Sequence, residues 1–307
     1  MTLDDVLAGN DPTKVSELSA QDLARLFWKY KGLQKHAQRD TAFWLATNDN
    51  LKIAYEKLDE QERLLNRAYQ IIREDLEVAR QVQQTLLPRP FPEMEKEVEI
   101  AVYHKQLSEV GGDYYDFFRL PNERYAVGLF DISGHGVSAA LLMTFLKAQF
   151  MQAMKVMARP KEIVEWVNQH TLSFLRDMRR YATINLVAFE PAAIRYVSGG
   201  GYGLLAHRGS STTFVKGSSF LGLRAKSFEE RQLPFEDGDL LVLYTDGMIE
   251  AQDKKGVDYS AHRLNELVLA NRHRRAQEIV DLCVQDYLNY RSQDSDDITL
   301  IVLRRRP

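Results

Sequence analysis

The residues in this chain best suited to chemistry are aspartates at four separated points. Asp113 follows Gly111-Gly112, and Asp131 opens Asp131-Ile132-Ser133-Gly134-His135-Gly136. Asp246 precedes Gly247, and Asp296 and Asp297 lie together in Asp294-Ser295-Asp296-Asp297-Ile298-Thr299. Each point sits where an apolar run meets a glycine or a turn. Singly, an Asp beside Gly is an ordinary turn residue. Four such points favour a shared task, and all-oxygen donors suit a hard divalent cation, Mg²⁺ or Mn²⁺, that keeps several waters. Ser133 and Ser138 make poor nucleophiles, because no His/Asp pair in a recognisable elbow accompanies them. His135 invites a general-acid role or caps a helix beginning near Gly136. Asp116 is either a hydrogen-bond acceptor behind the site or a solvated turn residue, and Glu109 is a second supporting candidate.

Strands must carry these side chains. Residues 107–136 read as a hairpin with Pro121-Asn122 at its turn and a buried strand from Tyr125 to Phe130. Leu240 to Tyr244 is a buried run that stops at the Asp246-Gly247 turn, and Ile298 to Leu303 forms a last strand. Adjacent strand residues point to opposite faces, so spacing leaves Asp296 and Asp297 as alternatives.

Four segments in order carry a resemblance: SEVGGDYYDFF at 108–118, DISGHGVSAALLM at 131–143, YTDGMIEA at 244–251 and DDITLIVLR at 296–304, with ARQVQQTLLP at 79–88 ahead of them. Over residues 79–307 the chain resembles the SpoIIE/RsbU-type branch of the metal-dependent protein serine/threonine phosphatases, the PPM family. The resemblance implies an α+β fold, an α-β-β-α sandwich of two antiparallel sheets flanked by helices. It implies a bacterial phosphoserine/phosphothreonine phosphatase with two Mn²⁺ or Mg²⁺ ions, acting by attack of a metal-activated water. The usual substrates of that branch are phosphorylated STAS-type anti-sigma-factor antagonists. Asp131 then matches the bridging ligand and Ile132 the backbone-carbonyl ligand. Asp113 completes one ion, and Asp246 and Asp296 complete the other, with the first of the Asp296/Asp297 pair favoured.

Composition bounds the alternatives. The chain has 307 residues, 45% of them hydrophobic, enough for a large core. A net charge of −3 argues against a nucleic-acid-binding surface. The single cysteine, Cys283, reads as a buried small hydrophobe. An acidic start excludes a signal peptide, and the longest apolar stretch is far short of the ~20 residues a membrane span needs. A cytoplasmic protein with no membrane partner is the expectation.

Three regions follow along the chain. In 1–46, residues 1–18 read as a polar loop, and Ser19-Ala20-Gln21-Asp22 opens a helical region of unknown role, a hairpin or the start of one long helix. In 47–87, Leu51, Ala54, Leu58, Leu65, Ala68, Ile72, Ala79, Val82 and Leu86 make a coiled-coil-like seam with polar Gln61 and Asp75. That seam predicts a regulatory linker helix, a homodimer through 51–86 and an upstream regulator acting on it. Pro88, Pro90 and Pro92 end the helix and place the domain boundary, with 88–307 as the phosphatase domain. Within it, strands are expected at 98–104, 182–189, 193–198, 204–207, 212–216, 228–233 and 239–245. Helices are expected at 136–157, from Pro160, at 263–270 and at 276–290. Gly199-Gly200-Gly201 reads as a tight bend; relatives carry an Ala-Gly-His-Asn-like run there, and this chain lacks the His and Asn that would give the loop a substrate role. Arg272-His273-Arg274-Arg275 reads as a solvated loop and Arg304-Arg305-Arg306 as a tail. A phosphatase-like module that binds a partner without turnover, and a dinuclear hydrolase of nucleotides or small phosphoesters, are the competing classes. The full carboxylate set weighs against the first, and the lack of a nucleotide-binding loop against the second.

Overall fold

The structure, a computed structural model, describes residues 19–214, 219–225 and 227–307. The expected polar loop at 1–18 and the last residues of the expected strand 212–216 lie outside the described residues. The chain divides into two units, residues 1–73 and 74–307.

Helix α1 (Ala20–Leu86) is one uninterrupted element of 67 residues, so the expected division at 46/47 is not a break in structure. Its N-terminus is capped as read: the Asp22 amide donates to Ser19 Oγ at 3.2 Å. In the first unit its apolar side chains lie exposed in two adjoining columns, Leu58, Leu65 and Ile72 beside Leu64 and Ile71, a wider stripe than one heptad seam. The second unit begins at Glu74, inside this helix, rather than at Pro88. The reason is packing: Gln83 near the end of α1 is buried and hydrogen-bonded within the second unit.

In that unit two five-stranded antiparallel sheets pack face to face. One has the order β1 (Val98–Lys105), β10 (Ile298–Arg305), β9 (Leu240–Tyr244), β6 (Tyr202–His207), β7 (Ser210–Thr213). The other runs β2 (Tyr114–Arg119), β3 (Tyr125–Ile132), β4 (Ala182–Glu190), β5 (Ala193–Gly199), β8 (Glu230–Pro234). Central strands are covered on both faces, which is why they read as apolar runs. In β9, Leu241 and Leu243 join Val127, Val187 and Ile301 between the sheets. Leu240, Val242 and Tyr244 face the other way, against α6 (Ala261–Ala270) and α7 (Ala276–Tyr290). On the opposite outer face, α3 (Val137–Ala153) and α4 (Pro160–Asp177) cover Phe130, Ile184 and Leu186. The α-β-β-α sandwich is the fold expected. Cys283 is buried in α7, its thiol pushed up to about 12 by burial.

Three local expectations are corrected. The proline run opens a short helix, α2 (Pro92–Glu97), with Pro92 in its first turn where a missing amide costs nothing. Asp246-Gly247 is not a hairpin turn but the start of a one-turn helix, α5 (Asp246–Ile249). Arg304 and Arg305 are not tail: they end β10, and Arg305 pairs with Glu97 at 2.9 Å. The 272–275 loop is solvated as expected, all four residues exposed, with Arg304 donating to the carbonyls of Arg272 and Arg274 and Arg275 reaching Glu99.

Candidate active site

The register of the hairpins collects the aspartates at one edge of the sandwich. Tyr114 pairs with Phe130, so Asp113, just before β2, and Asp131, near the end of β3, share one end of their sheet. Leu300 pairs with Tyr244, which puts Asp246 and the Asp296-Asp297 pair together on the other sheet. The glycines beside them permit the approach. A Cβ on Gly247 would stand 2.0 Å from the Asp297 carbonyl oxygen, and one on Gly112 would stand 2.9 Å from that of Ile132. Thus Asp113 and Asp131 come from one sheet, Asp246 and Asp296 from the other.

The charge they gather is large. Asp113 is buried, and its Oδ2 accepts hydrogen bonds from Thr245 Oγ1 at 2.8 Å and Thr299 Oγ1 at 2.7 Å. Burial, then repulsion from Asp131, still holds its pKa well above the usual carboxylate range. Burial and the carboxylates of Asp246, Asp296, Asp297 and Glu250 push Asp131 up to about 8. Burial likewise raises Asp296, and His135 is close enough to oppose that shift. Among the described residues no group of three or more His, Cys, Asp or Glu closes on one point as a ready-made cage. Instead Asp131, Asp246 and Asp296 line a cavity of about 380 Å³. Crowded, partly desolvated oxygen donors around a roomy cleft fit hard cations that retain water.

Ile132 is buried with its carbonyl facing Gly112. Asp297 fastens the loop before β2: Oδ1 accepts from the Leu107 amide at 2.8 Å, and Oδ2 from the Gly112 amide at 2.6 Å and the Asp113 amide at 3.3 Å. Asp116 is no turn residue and is turned away from the cleft. It is buried inside β2, 2.8 Å from Lys147 Nζ and hydrogen-bonded to the Tyr114 hydroxyl. His135 is exposed and does not cap α3, whose N-cap is Gly136 with no side-chain bond. Among the described residues Glu109 has no hydrogen bond or ion pair tying it to the cleft.

Several supporting residues went unread. Thr245 and Thr299 orient Asp113, and both sit in the quoted motifs, where Thr reads only as a strand former. His104 Nδ1 lies 3.0 Å from Thr299 Oγ1 and backs it. Gln83 holds the Gly111 carbonyl at 2.7 Å and amide at 3.2 Å. Arg180 Nη1 donates to the Ser133 carbonyl at 2.7 Å, and the Tyr181 amide donates to Ser133 Oγ at 3.0 Å, so that serine is a loop fastener. Beyond the carboxylates, the cleft is lined by Gly134, Tyr181, Thr183, Tyr202 and Phe220.

The family model described as Stage II sporulation protein E (SpoIIE) matches residues 121–306. The chain belongs to the SpoIIE family. Asp113 lies just ahead of the matched span, within the longer similarity to a relative, phosphoserine phosphatase RsbU of Bacillus subtilis (strain 168). That match is 26% identical over 269 residues, 83% of this chain and 77% of the relative. Phosphoserine phosphatase RsbP of the same organism is 28% identical over 184 residues, 57% of this chain and 45% of the relative. Among solved structures, the SiaA-PP2C domain of Pseudomonas aeruginosa superposes with a TM-score of 0.69 at 20% identity, covering 77% of this chain and 98% of that one. The phosphatase domain and regulatory fragment of SpoIIE from Bacillus subtilis gives 0.58 at 20% identity, covering 67% and 63%. The sandwich of this SpoIIE-family chain is therefore the PP2C fold, in the SpoIIE/RsbU branch of the PPM phosphatases. Among the described residues no helix is long and apolar enough to cross a membrane.

Proposed function

We propose that this chain, a serine/threonine protein phosphatase by family, removes phosphate from phosphoserine or phosphothreonine on a bacterial signalling protein, in metal-dependent fashion. The observation that carries the reading is that Asp131, Asp246 and Asp296, from two sheets, line one cleft with Asp113 buried against Asp131 behind it. In this reading Asp131 would serve both ions, the Ile132 carbonyl and Asp113 would hold one of them, and Asp246 and Asp296 the other. Two Mn²⁺ or Mg²⁺ ions bound there would neutralise phosphoryl oxygens and make a water acidic enough to attack at neutral pH. The protein's part is positioning. Thr245 and Thr299 fix the rotamer of Asp113, and Asp297 pins the loop that carries it. His135 is the candidate proton donor to the leaving hydroxyl in this reading, supported by its nearness to Asp296. With its oxygens engaged by backbone amides, Asp297 serves the loop, which favours Asp296 as ligand.

The substrate class the family suggests is a phosphorylated STAS-type anti-sigma-factor antagonist, and the long α1 is the arm through which a regulator or a second copy would act. The test is phosphate release from a phosphoserine protein with Mn²⁺ titrated. Asp131→Asn is expected to lower turnover by at least ~10³-fold, since it removes charge shared by both ions. Release that persists in saturating chelator would sink the reading.

A further inference from the structure

We propose that the cleft contains a built apolar subsite, walled by Tyr181 and Phe220, that selects phosphoserine or phosphothreonine flanked by a large aliphatic residue. The inference rests on the phosphatase reading above and assigns the feature of the substrate that the same site recognises.

The two rings meet edge to face, centroids 5.3 Å apart at 64°. Their placement is fixed by backbone. Ala182 and Leu221, the next residues along, exchange both amide–carbonyl hydrogen bonds at 3.0 Å, so Tyr181 and Phe220 project from neighbouring antiparallel segments. The Ser133 amide donates to the Tyr181 carbonyl at 2.9 Å, and the Tyr181 amide returns a bond to Ser133 Oγ. The wall is thereby fastened to the loop that follows Asp131. Phe220 has a seat of its own: Gly200, at φ +81°, where an added Cβ would fall 2.1 Å from the ring. The glycine-rich bend, which carries no phosphate-cradling motif, has this task instead. It leaves room for an aromatic ring beside the carboxylates.

Tyr181 is 40% exposed and Phe220 part-buried, so both rings present surface to the cleft. A phosphoserine side chain is short. With its phosphoryl group at Asp131, Asp246 and Asp296, the peptide is held close to the same 380 Å³ cavity, which brings a neighbouring side chain within reach of the rings that line it. Among the described residues lining that cavity there is no lysine or arginine, and an acidic neighbour would face three carboxylates. Ring faces reward apolar area, and selectivity for one large over one small apolar side chain follows the usual ~10–200-fold range.

The experiment compares synthetic phosphoserine peptides in pairs that differ only in Leu or Ala beside the phosphoserine, before it in one pair and after it in the other. Each protein, used as the full chain with Mn²⁺, is normalised to its own rate on p-nitrophenyl phosphate, which has no flanking residue. Wild type is expected to favour Leu about ten-fold in kcat/KM in at least one pair. Tyr181→Ala and Phe220→Ala are expected to bring that ratio below about three-fold, and Gly200→Ala to do the same by displacing the ring. Tyr181→Phe, which keeps the apolar face, is expected to retain it. Should an alanine variant fail to fold, Phe220→Leu and Tyr181→Phe supply the comparison: a ratio reduced by the first and kept by the second supports the subsite. No preference in wild type, or a preference unchanged in every variant that folds, overturns the subsite while leaving the phosphatase reading intact. Absence of Mn²⁺-dependent hydrolysis of p-nitrophenyl phosphate by wild type overturns that reading, and the subsite with it.

Discussion

Asp131 is buried among other carboxylates, and its pKa turns that burial and crowding into a measurable cost. A carboxyl pushed up to about 8 in the folded protein keeps a proton that the unfolded chain releases near 4. Between those values the folded state binds more protons, so in chelator stability falls as pH rises from about 4 to about 8. Asp131→Asn keeps the shape without the charge. It should flatten that fall and melt at least ~2–4 °C higher than wild type at pH 8, the shift ~1 kcal/mol gives a domain of this size. Thermal melts in chelator across the pH range check it; equal slopes for the two proteins would refute it. A second outcome concerns the threonines behind Asp113. Thr299→Val removes one donor and leaves His104 facing a methyl, and the Mn²⁺ concentration for half-maximal activity should rise ~10–100-fold, as for other residues that orient a ligand. Tyr–Asp–Lys chemistry was the least legible at this scale. Asp116 reads equally as an acceptor behind the site or a solvated turn residue because its partner, Lys147, lies 31 residues away and on another element, and no local pattern announces such a pair.

At the scale of elements, periodicity carried most of the reading. Strands with both faces covered and a helix with no Gly or Pro from Leu51 to Leu87 leave unmistakable patterns. The two helices that were missed are the short ones, α2 and α5, where a proline and an Asp-Gly pair signal a turn as readily as a first helical turn. The end of α1 shows what pattern cannot: Gln83 looks like any polar position, yet it satisfies both the amide and the carbonyl of Gly111. Gln83→Ala orphans buried backbone groups at a cost of ~1–3 kcal/mol, and should lower the melting temperature by several degrees while raising the Mn²⁺ concentration for half-maximal activity. In the first unit, the exposed columns of α1 predict self-association of the full chain. Leu65→Lys with Ile72→Lys should shift sedimentation from dimer to monomer; a wild-type chain that sediments as a monomer at every concentration removes the idea.

Taken as a whole, the second unit is held by three apolar layers and one notable polar knot. Lys147 on α3 meets Asp116 and Tyr114 on β2 and accepts its third partner in the Leu86 carbonyl, to which it donates at 3.0 Å. Lys147→Met leaves a buried carboxylate unpaired, worth ~3–5 kcal/mol, and calorimetry should show a melting point lowered by ~10 °C or more at pH 7.

Because the candidate cleft draws carboxylates from both of two stacked sheets, turnover there depends on how those sheets are aligned. A slip of about one ångström along their apolar contact would part the carboxylates while every strand kept its hydrogen bonds, and misplacement on that scale costs ~10²-fold in rate. Dilute denaturant should therefore silence the enzyme at concentrations where circular dichroism still reports intact secondary structure. The layer of Leu241, Leu243 and Val187 between the sheets thus acts as the alignment bearing of the chemistry.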